Sequence, residues 1–334
     1  MRRALQLILL AACLASPGTV AAADPRPASG VTVEVVRVPG AKLSGVAEDG
    51  DDLLLTDLAD GRLYRRHASG DLLAFGPILP HGVDVFGDPT GPYRIERFGE
   101  AYLVTQGWAP TTAARSPYDH ALLEVDEAAV RRVVHSGFWN PFDLLIDGEM
   151  IFVVDAARNS VERLTPTGDK TTLFTFPRLA HDEKALMELS PTVFAGQEPY
   201  EVDAVPTGIA ASDGRLFVAL FGGFPYLAGG GAVVSLDPVH VNVEARREVD
   251  GLEAPVDLGF DSSGRLLVLE HGRFTQASGF LEGSGRLLRF EPRTGMPLVL
   301  VDGLTRPASL ALLRDGRVAI ASLDGTVVVA TVRR

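Results

Sequence analysis

A strand-and-turn segment recurs along this chain of 334 residues. Three copies are easy to align, and they begin at NPFDLLIDG (residues 140–148), VPTGIAASDG (205–214) and APVDLGFDSSG (254–264). Each copy contains a short apolar run, a turn with glycine, an alternating run and a third run that ends in a Pro or Gly turn, which is the pattern of successive antiparallel strands. Repeats of roughly 40 to 60 residues with about four strands are typical of β-propeller blades.

The spacing inside the repeat predicts six blades. Five copies keep 12 or 13 residues from a small or acidic residue in the first strand to the end of the second strand. They are Gly45 to Asp57, Asp143 to Asp155, Gly208 to Leu220, Asp257 to Glu270 and Ser309 to Ser322. In a sixth copy the interval from Asp84 to Gln106 is 22 residues, which predicts that GDPTGPYRIER is inserted into the first hairpin. The sequence therefore predicts an all-β, six-bladed propeller.

The two ends of the repeat array predict how the ring closes. After Pro307 the chain supplies only three strands, whereas residues 31–38 form a strand without a partner. We expect this N-terminal strand to become the outer strand of the last blade, because that pairing removes free sheet edges. Residues 24–334 then form one domain. Helical decorations are expected at residues 127–134 and, within an insertion near 178–204, at residues 180–189.

The first 23 residues predict a secretory signal peptide. Arg2 and Arg3 precede an apolar stretch, and residues 21–23 supply small side chains for cleavage. No other run approaches the ~20 apolar residues of a membrane span, so the expected location is periplasmic or extracellular. Cys13, the only cysteine, lies in this segment. An alternative interpretation is a lipobox ending at Cys13, which would make the protein a lipoprotein.

The charge balance excludes some partners. The chain has 31 basic and 43 acidic residues, a net charge of −12, and no basic run. Nucleic acid and anionic membrane surfaces are therefore not expected partners. We expect a monomer whose partner is a small molecule or another protein.

Long connections indicate which rim of the ring carries function. Strands alternate in direction within a blade, so the loops after second strands and the links between blades emerge on one rim. The long connections of this kind are residues 106–120, 178–204, 221–232 and 270–285. Elaborated loops on a rigid ring commonly carry binding sites. Their aromatic residues Trp108, Phe224 and Tyr226 are candidate ligand anchors, and the alternative is that these rings pack beneath their own loops.

Carboxylates recur at two positions of the repeat. Asp84, Asp143 and Asp257 are assigned to one first-strand position, so rotational symmetry points them into the central channel. Converging carboxylates favour a bound calcium or magnesium ion, and the alternative is that each accepts hydrogen bonds from the neighbouring blade. The same two interpretations, a cation site or hydrogen bonds from the backbone, apply to Asp155 and Glu270 at the ends of second strands. These five residues are candidate ligand-binding residues, with no metal ligand or cofactor assigned.

The residues also suggest a family. NPFD at 140–143, VVDAARN at 153–159, VDAVPTG at 202–208 and GGFPY at 222–226 resemble the ScyD/ScyE family of exported bacterial propellers, whose wider relatives include NHL-type and gluconolactonase-like rings. The resemblance implies a six-bladed fold and export. Gluconolactonase-like rings hold a divalent metal through Glu, Asn and Asp residues of their first strands. The matching positions here are Ser44, Phe142, Thr207, Val256 and Ala308, none of which is a strong metal ligand.

Two functional hypotheses follow. The first is an exported binding or scaffold protein that presents its long-loop rim to a small extracytoplasmic ligand or a protein partner. The alternative is a channel-site hydrolase, lactonase-like, or a dehydrogenase that uses Asp143, Asp257 and Glu270 with or without a cation. The absence of Gly-x-Ser-x-Gly and His-Glu-x-x-His motifs favours the first hypothesis.

Overall fold

Six antiparallel sheets, each with four main strands, follow one another around a central channel, and a two-residue strand adds a fifth to one of them. They are seen in a computed structural model that describes residues 24–84, 87–108, 116–181, 200–291 and 295–333. The six-bladed β-propeller predicted from the repeat is confirmed. The predicted signal peptide with Cys13, and residues 182–199 of the predicted insertion, lie outside the described residues.

The strands of each blade are given from the channel outward. The first blade has Leu43–Asp49, Asp52–Asp57, Leu63–Arg66 and Leu72–Phe75. The second has Pro92–Phe98, Ala101–Gln106, Ala121–Val125 and Val130–Ser136, and the third has Pro141–Asp147, Met150–Asp155, Ser160–Leu164 and Lys170–Thr175. The fourth has Pro206–Ser212, Arg215–Leu220, Gly231–Leu236 and Arg246–Leu252, and the fifth has Pro255–Phe260, Leu266–Glu270, Gly285–Phe290 and Pro297–Leu304. The sixth has Pro307–Leu312, Val318–Ser322, Thr326–Val332 and Val31–Arg37.

Strands from the beginning and the end of the described part of the chain meet in the sixth blade. Val31–Arg37 pairs antiparallel with Thr326–Val332, from Val31 opposite Val332 to Arg37 opposite Thr326. Just before it, Arg26–Pro27 pairs with the outer strand of the fifth blade. The N-terminal segment therefore spans two neighbouring blades.

Apolar clusters fill the space between blades. Each of the six clusters combines side chains of two neighbouring blades. Leu54 and Ile95, for example, are fully buried between the first and second blades. Because both faces of a blade are covered in this way, the second strands carry apolar runs, such as residues 151–154, rather than strict alternation.

A few short elements decorate the ring. Within the described residues, three two-stranded ladders pair Gly82–Val83 with Pro89–Thr90, Leu179–His181 with Tyr200–Val202, and Phe274–Thr275 with Gly279–Phe280. A 3-10 turn covers Ala156–Arg158. In the described ranges, no helix is both long enough and apolar enough to cross a membrane.

The two helix predictions fare differently. The helix expected at residues 127–134 is wrong, because this segment ends in the strand Val130–Ser136, which pairs with Ala121–Val125 and completes the second blade. Pairing with the blade overrides the local helix propensity. Of the helix expected at residues 180–189, the first two residues belong to the strand Leu179–His181, and the others lie outside the described part of the chain.

The second blade corrects the predicted repeat. Its inner strand is Pro92–Phe98, and Arg94 lies opposite Thr105 there, as Asp143 lies opposite Val154 in the third blade. The interval from Arg94 to Gln106 is 12 residues, which is the common spacing. Asp84 therefore does not share the first-strand position. It lies between Gly82–Val83 and Pro89–Thr90, so the extra residues precede the blade instead of splitting its first hairpin.

Candidate functional site

Every inner strand has a β-bulge near its beginning. In each blade, the pairing of the first and second strands skips one residue of the first strand. The six skipped residues are Ser44, Tyr93, Phe142, Thr207, Val256 and Ala308. A bulge re-aims a side chain relative to the regular strand. All six residues line one cavity at the mouth of the channel, so all the blades contribute to a single candidate site.

The channel-mouth cavity has a volume of about 240 Å³. Its upper wall comes from the links between blades, with Asp84, Asp88, Asn140 and Arg306, and from the long loops of the fourth and fifth blades. The link around Asp84 thus lies on the same rim as the long loops. Ligand pockets of drug-sized molecules are typically about 300 to 1,000 Å³, so this cavity suits a smaller ligand.

One wall of the cavity is aromatic. Phe221, Tyr226 and Phe280 line it, and their rings lie 5.2–5.7 Å apart between centroids. Phe274 packs behind them, 5.0 Å from Tyr226 and 5.2 Å from Phe280. Edge-to-face pairs at these distances stabilise the loops that carry them. The fourth-blade and fifth-blade loops are therefore fixed against each other at the cavity.

A polar chain adjoins this wall, with the His271 ring 4.7 Å from Phe280 and 5.7 Å from Phe221 between ring centroids. Arg306 donates from one terminal nitrogen to Asp88 Oδ1 at 2.8 Å and from Nε to His271 Nε2 at 3.3 Å. His271 Nδ1 lies 2.9 Å from the carbonyl oxygen of Pro307. Since a carbonyl only accepts, Nδ1 carries the proton and Nε2 accepts from Arg306. Both contacts match a neutral imidazole.

His271 is only 6% exposed, although it lies in the long connection at residues 270–285. Burial lowers its pKa to about 4, and repulsion from the Arg306 guanidinium acts in the same direction. An imidazole in an unfolded chain titrates near 6.5. Between these values the unfolded state takes up a proton that the folded state does not. Folding stability therefore falls as the pH decreases from about 6.5 to about 4.

We expect a His271→Asn variant to lose the decrease in folding stability that His271 causes between about pH 6.5 and about pH 4. At about 1.4 kcal/mol per pKa unit, His271 destabilises the folded wild type at pH 4 by about 3 kcal/mol relative to pH 7. The measurement is the free energy of unfolding in urea at several pH values, for the wild type, His271→Asn and the exposed control His240→Asn. Other groups titrate in all three proteins, so the difference between the curves isolates His271. Parallel wild-type and His271→Asn curves would contradict the expectation.

A buried charge cluster lies beneath the cavity, where three inner strands place a charged side chain directly after the bulged residue. The guanidinium of Arg94, from the second blade, reaches Asp143 Oδ1 of the third blade at 3.3 Å and Asp257 Oδ2 of the fifth blade at 3.1 Å. It also donates to Ser309 of the sixth blade and to Glu96. Burial raises the pKa of Asp143 and Asp257, and Arg94 opposes that rise. Arg94 thus fills the channel between the two carboxylates.

Both carboxylates also hold the neighbouring blade. Asp143 Oδ2 accepts from the amide of Ile209 at 3.0 Å, and Asp257 Oδ2 accepts from the amide of Leu310 at 2.7 Å. The prediction that Asp143, Asp257 and Asp84 converge is wrong for Asp84, which lines the cavity above. For the two others, the alternative derived from the sequence, acceptance of backbone hydrogen bonds from the next blade, describes the contacts.

Glycine replaces the charged residue in two blades where a Cβ at this position would collide with the next blade. A Cβ at Gly45 would lie 2.6 Å from the carbonyl oxygen of Tyr93, and one at Gly208 would lie 2.7 Å from Asp257 Cα. In these two blades the bulged residue supplies the contact to the next blade. Ser44 Oγ donates to Pro92 O at 2.9 Å, and Thr207 Oγ1 donates to Pro255 O at 3.0 Å.

Asp155 and Glu270 hold the links that enter their own blades. Asp155 accepts from the amides of Trp139 and Asn140 at 2.9 and 2.7 Å. Glu270 accepts from the amide of Glu253 at 2.8 Å and pairs with Arg286 at 2.7 Å. Neither residue lines the cavity, and burial raises the pKa of both. Their contacts position the links that form the cavity wall.

The three aromatic anchor candidates occupy different places. Tyr226 lines the cavity. Phe224 is 55% exposed and lies 6.0 Å from Tyr226 between ring centroids. Trp108 is partly buried and stacks on His120 at 6.0 Å. Only Tyr226 is thus placed to contact a ligand inside the cavity.

The channel does not fit the divalent metal that the resemblance to lactonases implies. Across the described ranges, no three His, Cys, Asp or Glu side chains come together in a way that could hold a metal ion. The six bulged residues offer two hydroxyls, one phenol and three apolar side chains. The carboxylates below them already contact Arg94.

Several site residues were missed from the sequence. Arg306 and Asn140 immediately precede the proline that begins an inner strand, and this position could have identified them as link residues at the channel mouth. Arg94 could have been found by applying the 12-residue spacing backwards from Gln106. Asp88 and Phe280 have no comparable signal, because they lie in connections unique to one blade.

Comparisons with known proteins agree on the architecture. The sequence matches no protein-family model and no curated protein. Among solved structures, a candidate oxidoreductase (glucose dehydrogenase) from Thermus thermophilus superposes with a TM-score of 0.58 at 18% identity, covering 90% of this chain and 100% of its own. A streptogramin B lyase gives 0.53 at 13% identity, covering 90% and 97%. A gluconolactonase from Xanthomonas campestris gives 0.53 at 13% identity, covering 95% and 98%. At these identities, the likeness establishes the six-bladed propeller fold alone.

Proposed function

We propose that this protein binds a small ligand in the channel-mouth cavity. The observation that carries the proposal is the convergence of six bulged residues, one from each blade, with an aromatic wall and the His271–Arg306–Asp88 chain around one space of about 240 Å³. A mostly apolar pocket with a few placed polar groups is the usual form of a small-molecule site. The long-loop rim is then the entrance to this cavity.

The alternative, a channel-site hydrolase or dehydrogenase, has less support. Its carboxylates Asp143 and Asp257 are each 3% exposed and are held by Arg94 and by backbone amides. A general acid or base must reach its substrate within hydrogen-bond distance. The lyase, lactonase and dehydrogenase named above share the fold, but folds host many activities.

We also propose that the protein is exported and belongs with the ScyD/ScyE propellers. The basic and apolar residues of the N-terminal segment support export. The four motifs between residues 140 and 226 support the family. A monomer is the simplest assembly for this proposal, because the cavity is complete within one chain.

Filling the cavity tests the binding function. Ala308 lines it, so we expect an Ala308→Phe variant to fold but to exclude ligands. The measurement is a thermal-shift screen with a library of small fragments, since a ligand that binds only the folded state raises its melting temperature. Compounds that stabilise the wild type should not stabilise Ala308→Phe.

The control is Ser262→Phe, which adds the same ring at an exposed turn. It should respond like the wild type. Equal shifts in Ala308→Phe and the wild type would place binding elsewhere, and a screen without any compound that stabilises the wild type would also contradict the proposal.

A further inference from the structure

Acidic groups outnumber basic groups around the cavity. Among its described lining residues, Asp84 and Asp88 carry carboxylates and Arg306 carries the guanidinium. Arg306 pairs with Asp88 at 2.8 Å, and Asp84 accepts from the amide of Asp88 at 3.0 Å. With His271 neutral, the lining has a net charge of −1. This field disfavours an anionic ligand and attracts a cation.

The two carboxylates act on the interior of the cavity. The pKa of the Tyr226 hydroxyl is raised by burial and further by Asp88 and Asp84. The pKa of Tyr93, at the base of the cavity, is raised for the same reasons. The negative charge is therefore felt by groups on two different walls, and a cation placed between them would interact favourably with the same charge.

Two oxygen atoms at the cavity also lack partners. Asn140 Oδ1 and Thr90 Oγ1 are buried without a hydrogen-bond partner in the described structure, and both residues line the cavity. Thr90 as a whole is only 3% exposed. An unpaired buried polar atom costs about 1 to 3 kcal/mol. A ligand that donates hydrogen bonds would remove this cost, and an ammonium group has three such donors.

The aromatic wall suits the remainder of such a ligand. The rings of Phe221, Tyr226 and Phe280 offer apolar surface for a ring or chain. Their faces are also partly negative, so they attract a nearby ammonium group. Charge, unpaired acceptors and ring surfaces thus favour the same kind of ligand.

From these contacts, we infer that the cavity selects a small organic amine, a cation with an apolar body. This inference rests on the proposed binding function and adds the chemical class of its ligand. The ammonium group lies on the side of Asp84, Asn140 and Thr90, and the apolar body lies against the aromatic wall.

Three probes with one skeleton test this selection. They are 2-phenylethylamine, 2-phenylethanol and 3-phenylpropanoate, which are cationic, neutral and anionic at pH 7. Dissociation constants are measured by calorimetry for the wild type and for Asp84→Asn, which removes the charge and nearly keeps the shape. The control is Asp71→Asn, at an exposed turn of the first blade.

The amine should bind the wild type at least about tenfold more tightly than the alcohol or the acid, a difference of roughly 1.4 kcal/mol. Asp84→Asn should remove most of this preference and leave the affinity for the alcohol unchanged, whereas Asp71→Asn should change neither. Equal or tighter binding of the alcohol or acid overturns the inference, and so does a preference that survives Asp84→Asn or the absence of binding by all three probes.

The outcomes also separate this inference from the proposed function. If the alcohol or acid binds the wild type as tightly as the amine or more tightly, and does not bind Ala308→Phe, the cavity is a binding site and only the cation preference fails. If fragments stabilise the wild type and Ala308→Phe equally, the binding function itself fails.

Discussion

Replacing Arg94 with methionine is expected to lower the free energy of unfolding by about 3 to 5 kcal/mol, the usual cost of removing one partner of a buried ion pair. The guanidinium contacts Asp143 and Asp257, whose side chains are each 5% exposed. Methionine keeps much of the volume but leaves two carboxylates facing each other without a cation. The measurement is urea unfolding at pH 7 of the wild type and of Arg94→Met.

The pH dependence distinguishes lost charge from lost packing. Without Arg94, the pKa of Asp143 and Asp257 should rise further, because burial and mutual repulsion are no longer opposed. Protonation of these carboxyl groups removes their repulsion in the folded variant. The difference in free energy of unfolding between the wild type and Arg94→Met should therefore shrink as the pH is lowered from 8 to 5. Arg97, on the same strand but 43% exposed, is the control, and Arg97→Met should cost only about 0 to 1 kcal/mol. A deficit that is independent of pH would contradict the electrostatic explanation.

Deleting residues 24–38 is expected to abolish cooperative unfolding. The deletion removes Val31–Arg37, the outer strand of the sixth blade, and exposes the full edge of Thr326–Val332. It also uncovers the apolar cluster between the fifth and sixth blades, which includes Val31. An exposed apolar edge pairs readily with other chains, so we expect aggregation as well. Circular dichroism melts and light scattering measure the two effects.

A shorter deletion provides the control for this experiment. Removing only residues 24–29 takes away the two-residue strand Arg26–Pro27 from the fifth blade but leaves the sixth blade intact. Its melt should remain cooperative and close to that of the full chain. If both deletions melt alike, the N-terminal strand does not hold the ring together.

The blades could be predicted because each one repeats the same local requirements. Every blade shows the same features: turns with Gly, apolar runs and the 12- or 13-residue interval. They recur independently of the residues that a blade contributes to the cavity. Arg94 stands at a repeat position that is small or acidic in the other blades. Its guanidinium finds partners only by reaching across the channel to the third, fifth and sixth blades. Such a contact depends on ring geometry that no single repeat contains.

The cavity was harder to predict than the blades. His271 looks like a loop histidine in the sequence, and it is buried only because Arg306, Pro307 and Phe280 come together around it. Asp84 was correctly associated with the channel side of the ring, but for the wrong reason, since it comes from a link and not from an inner strand. The spacing of residues within one repeat does not predict contacts between residues that are distant in the sequence.

The bulges separate two tasks along each inner strand. Phe142, Val256 and Ala308 face the cavity, while the following residues, Asp143, Asp257 and Ser309, hold the next blade through hydrogen bonds to Ile209, Leu310 and Val46. At these three positions, the hydrogen bonds to the next blade come from a different side chain than the one that a ligand would meet. Evolution, or an engineer, can therefore change the cavity lining there without removing the hydrogen bonds that join neighbouring blades.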